Sequence, residues 1–169
     1  EVRFETIIPA YKKAATVKAL LAAHPYEEPV YDIYPLQNSW PQAGAGVIGE
    51  LEVPETELEF LKRIKKTFEV GCLRHNKLLG REIQTVALCG GAGGFLKPVA
   101  LRNRADVFIT GEIKYHDYFG HDTDILLAEI GHYESEQYTK EIFYTIIRDL
   151  FPHFEVQMTK VNTNPIKYM

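Results

Sequence analysis

Cysteine is scarce: only Cys72 and Cys89 are present. Two thiols cannot build a disulfide framework, and their spacing fits no zinc motif. A reducing, cytoplasmic setting is the simple expectation. Long apolar runs are also missing. None approaches the roughly 18 residues of a membrane span, and the opening residues do not read as a signal peptide. Positive charge has no surplus, with 19 Lys and Arg against 23 Asp and Glu and a net charge of -4. Nucleic-acid binding needs a basic face, so no nucleic-acid partner is expected. There is no internal repeat and no low-complexity tract.

What remains is a soluble globular balance, 46% apolar and 25% charged over 169 residues. That length suits one domain or two small ones with a real core. The chain opens on Glu1 rather than Met, as expected for a piece of something longer.

Along the chain, residues 2–9 (VRFETIIP) alternate as a strand does. Tyr11 to Ala23 reads as a helix stopped at His24-Pro25. Residues 26–36 read as a bent or edge strand interrupted by Pro29 and Pro35. After the turn-rich QNSWPQAGAG (37–46), GVIGELEV (46–53) reads as a strand. Pro54-Glu55 then opens a helix with Leu58, Leu61, Ile64 and Phe68 inward, and 72–79 is a short strand or loop. The order is β-α-β-β-α-β, a ferredoxin-like module over 1–78.

The rest, 79–169, alternates strands and helices as an α/β sheet does. Strands are expected at 83–91, 106–112, 124–130 and 154–164. Helices are expected over FLKPVALRNRA (95–105) and from Glu134 to Phe151, the latter with Ile142, Phe143, Ile146, Ile147 and Leu150 facing a core.

Three stretches carry candidate chemistry. The glycine run GGAGGF (90–95) joins a strand to a helix. Its backbone amides at Gly91 and Gly93 suit an anion, or its glycines serve a tight turn. It is neither G-x-G-x-x-G nor a P-loop. Cys89 at its start reads as a buried structural thiol or as a nucleophile beside His116 or His132. TGEIKYHD (110–117) follows a buried strand at its carboxyl end, where open α/β sheets tend to bind ligands. It crowds Glu112, Lys114, Tyr115, His116 and Asp117 together, as a substrate or metal loop or a solvated one does. IGHYESE (130–136) places His132 and Glu136 one helical turn apart. A neutral imidazole and a carboxylate so placed can share a divalent ion, or they simply open a helix.

Taken together, HPYEEPVYDIYPL, GVIGELEVPETELEFLKRIKKTF, GGAGGF, TGEIKYHD, GHYESE and NTNPIKY resemble the family of GTP cyclohydrolase I type 2 homologues, also called Ngg-interacting-factor-like. The resemblance spans essentially the whole chain with the motifs in family order. It implies an α/β protein with two related halves and a CutA/PII-like, ferredoxin-like insert. Residues 1–78 resemble that insert, and 79–169 the second half of the metal-binding domain. It implies a pair of divalent ions (Zn, Mn or Fe) held by ligands from both halves, with His132 and Glu136 as the second half's contribution. The family's first-half ligands, a His pair and an Asp, have no counterpart in this chain. The resemblance also implies homo-oligomers, trimers or hexamers.

Two functions follow. One is a metal-dependent, hydrolase-like protein acting on a nucleotide or phosphorylated small molecule. Glu112 and His116 would orient substrate or move protons, and Gly91, Gly93, Lys114 and Tyr115 would bind it. The other is a non-catalytic regulatory or assembly module that oligomerises through its CutA/PII-like part, with Trp40 as a probe of the interface.

Overall fold

The computed structural model describes residues 2–38 and 43–169; Trp40 lies outside them. The chain divides into two compact units, Glu1–Ser39 and Trp40–Met169.

In the first unit a short 3₁₀ turn, Ala10–Lys12, leads into α1 (Lys13–Ala23). Val17 and Leu20 are half-buried, and the helix ends at His24, whose ring nitrogen accepts from the amide of Tyr26 (3.1 Å). Among the described residues of this unit there is no strand. The expected strands at 2–9 and 26–36 are therefore corrected to extended chain. Alternation alone does not make a strand, because a strand needs a hydrogen-bonded neighbour. Val2, Phe4 and Ile7 find none and face outward. Pro29 and Pro35 remove two donors from the second stretch.

The second unit is built on one five-stranded sheet in the order β1-β3-β4-β5-β2. Its strands are β1 (Val47–Thr56), β2 (Arg74–His75), β3 (Glu82–Cys89), β4 (Val107–Thr110) and β5 (Leu126–Glu129). The three inner strands are parallel, and β1 and β2 close the two edges antiparallel. The α/β class is thus correct. The β-α-β-β-α-β order over 1–78 is not what the chain forms, because β1, α2 (Glu57–Thr67) and β2 belong to this sheet and its cover. β1 passes Pro54 at a register shift between Glu50 and Glu55, where an edge strand tolerates a missing donor.

Side chains of β4 and β5 alternate between two cores, so both strands are buried on both faces. On one face Val107, Ile109, Leu126 and Ala128 pack with Ile83 and with Phe60, Leu61 and Ile64 of α2. On the other, Phe108 and Leu127 pack with Ala87, Cys89 and Ala100, the last from α3 (Lys97–Arg102). The inward residues of α2 differ from expectation, with Phe60 buried and Leu58 exposed. Thr56 starts the helix in capping-box fashion: its hydroxyl accepts from the Glu59 amide and pairs with the Glu59 carboxyl group.

β2 stops after His75, and the Asn76 side chain continues its work. Its amide donates to the carbonyls of His121 and Ile125 (3.2 and 3.0 Å), and its oxygen accepts from the Leu127 amide (2.8 Å). After β5 come α4 (His132–Glu136) and α5 (Thr139–Leu150), where one helix was expected. The apolar stripe of α5 faces outward, not into a core: Ile142 and Phe143 are each 59% exposed and Leu150 67%. The expected strand at 154–164 is likewise extended chain, with Phe154, Met158 and Val161 exposed. Both edges of the sheet are already held by β1 and β2.

Candidate functional site

Three parallel strands deliver three turns to one edge of the sheet. β3 ends at the glycine run, β4 at Gly111–Glu112, and β5 at Gly131–His132. The ladder is extended by Ile130 N donating to Thr110 O (3.0 Å), Gly131 N to Gly111 O (3.2 Å) and Glu112 N to Gly91 O (3.1 Å). Carboxyl ends of parallel strands are where such sheets present ligand-binding groups.

His132 is the first residue of α4 and stands between two carboxylates. Its Nδ1 donates to Glu112 Oε1 (2.7 Å), and its Nε2 lies 3.2 Å from Glu136 Oε2. The Glu112 hydrogen bond, helped by the charges of Glu136 and Glu112, raises the His132 pKa above its ordinary value against the opposing effect of burial. With the proton on Nδ1 turned to Glu112, the neutral ring points a lone pair at a carboxylate. That arrangement calls for a cation at Nε2, either a proton or a metal ion. Two donors bonded at about 2.1 Å to a tetrahedral ion stand roughly 3.4 Å apart, near the observed separation. The His132–Glu136 pair therefore fits one edge of a metal sphere. Glu112, on the far nitrogen, fits the orienting carboxylate that metal-binding histidines commonly carry. Among the described residues no three His, Cys, Asp or Glu converge on one point, so this pair has no third such donor beside it there.

Gly91 is where the glycine run meets this pair. Its φ is +60°, and a Cβ there would lie 2.3 Å from Glu136 Oε1 and 3.4 Å from His132 Nε2. Only glycine satisfies both the left-handed backbone and the close approach. The run's amides are already engaged by hydroxyls that the sequence reading did not single out. Gly91 N donates to Ser135 Oγ (2.8 Å), and Gly93 N donates to Thr110 Oγ1 (3.0 Å). Ser135 Oγ in turn donates to His132 O (2.8 Å), and Thr110 donates to Gly91 O (3.2 Å). The turn is thus stitched to β4 and α4. The only sequence sign of these hydroxyls was their place inside TGE and HYESE.

Cys89 is buried. Its thiol donates to Ala45 O (3.1 Å), and burial first, then the Glu136 charge, pushes its pKa up. That makes it a structural thiol and a poor nucleophile. Glu134 is buried behind the site and accepts from Asn164 Nδ2 (3.0 Å). Lys114, Tyr115 and His116 sit on the loop after Glu112 with their side chains exposed. His116 packs edge-on against Tyr115 (5.7 Å). None of the three makes a hydrogen bond or ion pair with His132 or Glu136 among the described residues. A second buried acid, Glu129, lies at the end of β5. It accepts from Tyr118 OH (2.7 Å) and pairs with Arg74. Burial, then the Glu129 hydrogen bond, raises the Tyr118 phenol far above its ordinary range. An acid inside the apolar run ILLAEI (125–130) was the sequence sign that such a partner must exist.

Among the described residues no helix is long and apolar enough to cross a membrane. Known proteins are similar to this chain over nearly all of its length. A "GTP cyclohydrolase 1 type 2 homolog" of Halalkalibacterium halodurans is 36% identical over 175 residues, covering all of this chain and 46% of that protein. One of the same description from Staphylococcus epidermidis is 34% identical, covering 99% of this chain and 47% of its own length. Among solved structures, Staphylococcus aureus protein SA1388 superposes with a TM-score of 0.75 at 29% identity, over 98% of this chain and 55% of that one. A Bacillus cereus protein related to NIF3 superposes with a TM-score of 0.71 at 28% identity, over 96% of this chain and 46% of that one. The chain thus spans about half the length of the curated relatives it matches. With the family profile matching residues 7–165, the chain belongs to the Duf34/NIF3 (NGG1p interacting factor 3) family.

Proposed function

We propose that this chain carries one side of a divalent-metal site, with His132 Nε2 and Glu136 as its ligands, and that the whole protein is a metal-dependent, hydrolase-like enzyme on a small phosphorylated molecule. The observation that carries the reading is the His132 ring held between two carboxylates, with Nε2 turned to Glu136. Glu112 is the positioning residue that fixes the ring through Nδ1. The remaining ligands belong to the half of the longer protein that this chain does not span, and a pair of ions (Zn, Mn or Fe) shared across the two halves is part of the proposal. A divalent ion supplies Lewis acidity when bound. His116, exposed on the same loop, is the residue placed to move protons on the substrate side. Lys114 and Tyr115 face the substrate, whereas the amides of Gly91 and Gly93 are already in use. The proposal places the protein in the cytoplasm as a homo-oligomer, and the outward apolar face of α5 supports an assembled state.

Calorimetric titration of Zn²⁺, Mn²⁺ and Fe²⁺ tests this, with His132→Ala/Glu136→Ala in parallel. Weak binding by the chain that disappears in the double variant is the expected result. Equal binding by both proteins sinks the assignment.

A further inference from the structure

An open groove of about 690 Å³ lies between β2 with the residues after it and the loop after β4. On one bank are Arg74, His75 and Lys77, and on the other Tyr115, Phe119 and Asp122. Tyr115 and Phe119 are 74% and 62% exposed, yet their rings hold each other edge to face at 5.2 Å. Tyr115 also meets His116 edge-on at 5.7 Å, and exposed aromatic rings of this kind can stack on a planar group. Across from it, Arg74 is fixed by the buried Glu129, which the Tyr118 hydroxyl also holds. Glu129 cancels the charge of Arg74 but takes only part of its fork of donors. Lys77 then brings the net positive charge. Asp122 opposes it at the rim and disfavours a heavily charged anion.

We infer that this groove is a recognition site for a small molecule joining a planar ring to one anionic group, a nucleoside monophosphate being the simplest form. The ring stacks on Tyr115 and Phe119, and the anion meets Lys77 and the free donors of Arg74. The same loop carries Glu112, which holds His132. The link to chemistry rests on the function proposed above, but the binding does not need a metal ion and is measured without one.

The test is a titration of the metal-free chain with AMP, followed by calorimetry and by amide chemical shifts. Shifts at residues 73–77 and 115–122 are expected. Tyr115→Ala and Phe119→Ala, both at exposed positions that folding does not depend on, should each weaken AMP about tenfold, the scale of one lost stacking contact. Adenosine, ribose 5-phosphate and ATP should each bind more weakly than AMP. Lys77→Ala should weaken AMP and flatten its salt dependence. His132→Ala should leave AMP binding intact, so loss of the metal reading and loss of this one are separately visible. Equal affinity for AMP and ribose 5-phosphate, or no effect of Tyr115→Ala, overturns the ring subsite. Concentration-dependent shifts at these residues without ligand would make the face a contact between copies, which also overturns it.

Discussion

Two helices of similar length and similar amphipathic pattern meet opposite fates in this chain. α2 buries Phe60, Leu61 and Ile64 against the sheet, whereas α5 turns Ile142, Phe143, Ile146 and Leu150 outward. The difference lies in what surrounds them. α2 follows β1 directly, and its first residue, Glu57, is buried and accepts from the amides of Leu79 and Gly80 (2.7 and 2.8 Å). α5 is tied to the body by the residues just before it, where Gln137 donates to Phe68 O (3.1 Å) and Tyr138 to Thr67 O (3.0 Å). An apolar helical stripe announces that a partner exists, not that the partner is in the same chain.

The largest test of that contrast is truncation of each stripe. Phe60→Ala should cost about 3–5 kcal/mol, and Phe143→Ala less than about 0.5 kcal/mol, in chemical denaturation of the two variants. A comparable loss at Phe143 would mean that α5 is packed in solution. Next in size is Glu57→Ala, which strands two amides and should cost about 2–3 kcal/mol, read as a lower denaturation midpoint. Thr56→Ala removes the cap of α2 and should cost about 1 kcal/mol. Phe143→Glu should barely change stability. It should instead reduce self-association and dye binding to apolar surface, as followed by sedimentation and fluorescence.

The smallest effect concerns pH. The folded His132 pKa is raised, chiefly by Glu112. The stability that its protonated form contributes is therefore fully present below the unfolded value of about 6.5 and is lost as pH rises through the folded value. Metal affinity should run the opposite way, increasing over that same window as the proton leaves Nε2. An NMR titration of His132 should show a midpoint above 6.5 that falls in Glu112→Gln. An unchanged midpoint in that variant would break the link between the two residues.

The inner sheet was legible because β3, β4 and β5 are short apolar runs bounded by glycine and polar turns. Placing Glu112 and His132 on one edge followed from that alone. The edges were not legible. β1 reads like any alternating segment, and only its pairing with β3, some 35 residues away, reveals which unit it serves. Residues 2–9 carry an equally good alternation with no partner, and nothing local distinguishes the two cases. The closeness of His132 and Glu136 was visible as i, i+4 spacing. The site's clasp was not, because Ser135 and Thr110 act through hydrogen bonds between segments 44 and 17 residues apart.

Gly111 offers a last consequence. A Cβ on it would meet Gly91 O at 2.6 Å, Ser135 Oγ at 2.7 Å and the Cα of His132 at 3.0 Å. Three turns therefore close on one point, each supplied by a different strand. A slip of one residue between neighbouring strands would turn every side chain of the slipped strand to the other face and pull this junction apart. During folding the site can form only after β3, β4 and β5 have found register together. The contact between His132 and Glu112 then becomes a clock for the last step of sheet assembly, readable in a refolding experiment from the delay between the return of secondary structure and the return of the native His132 ring signal.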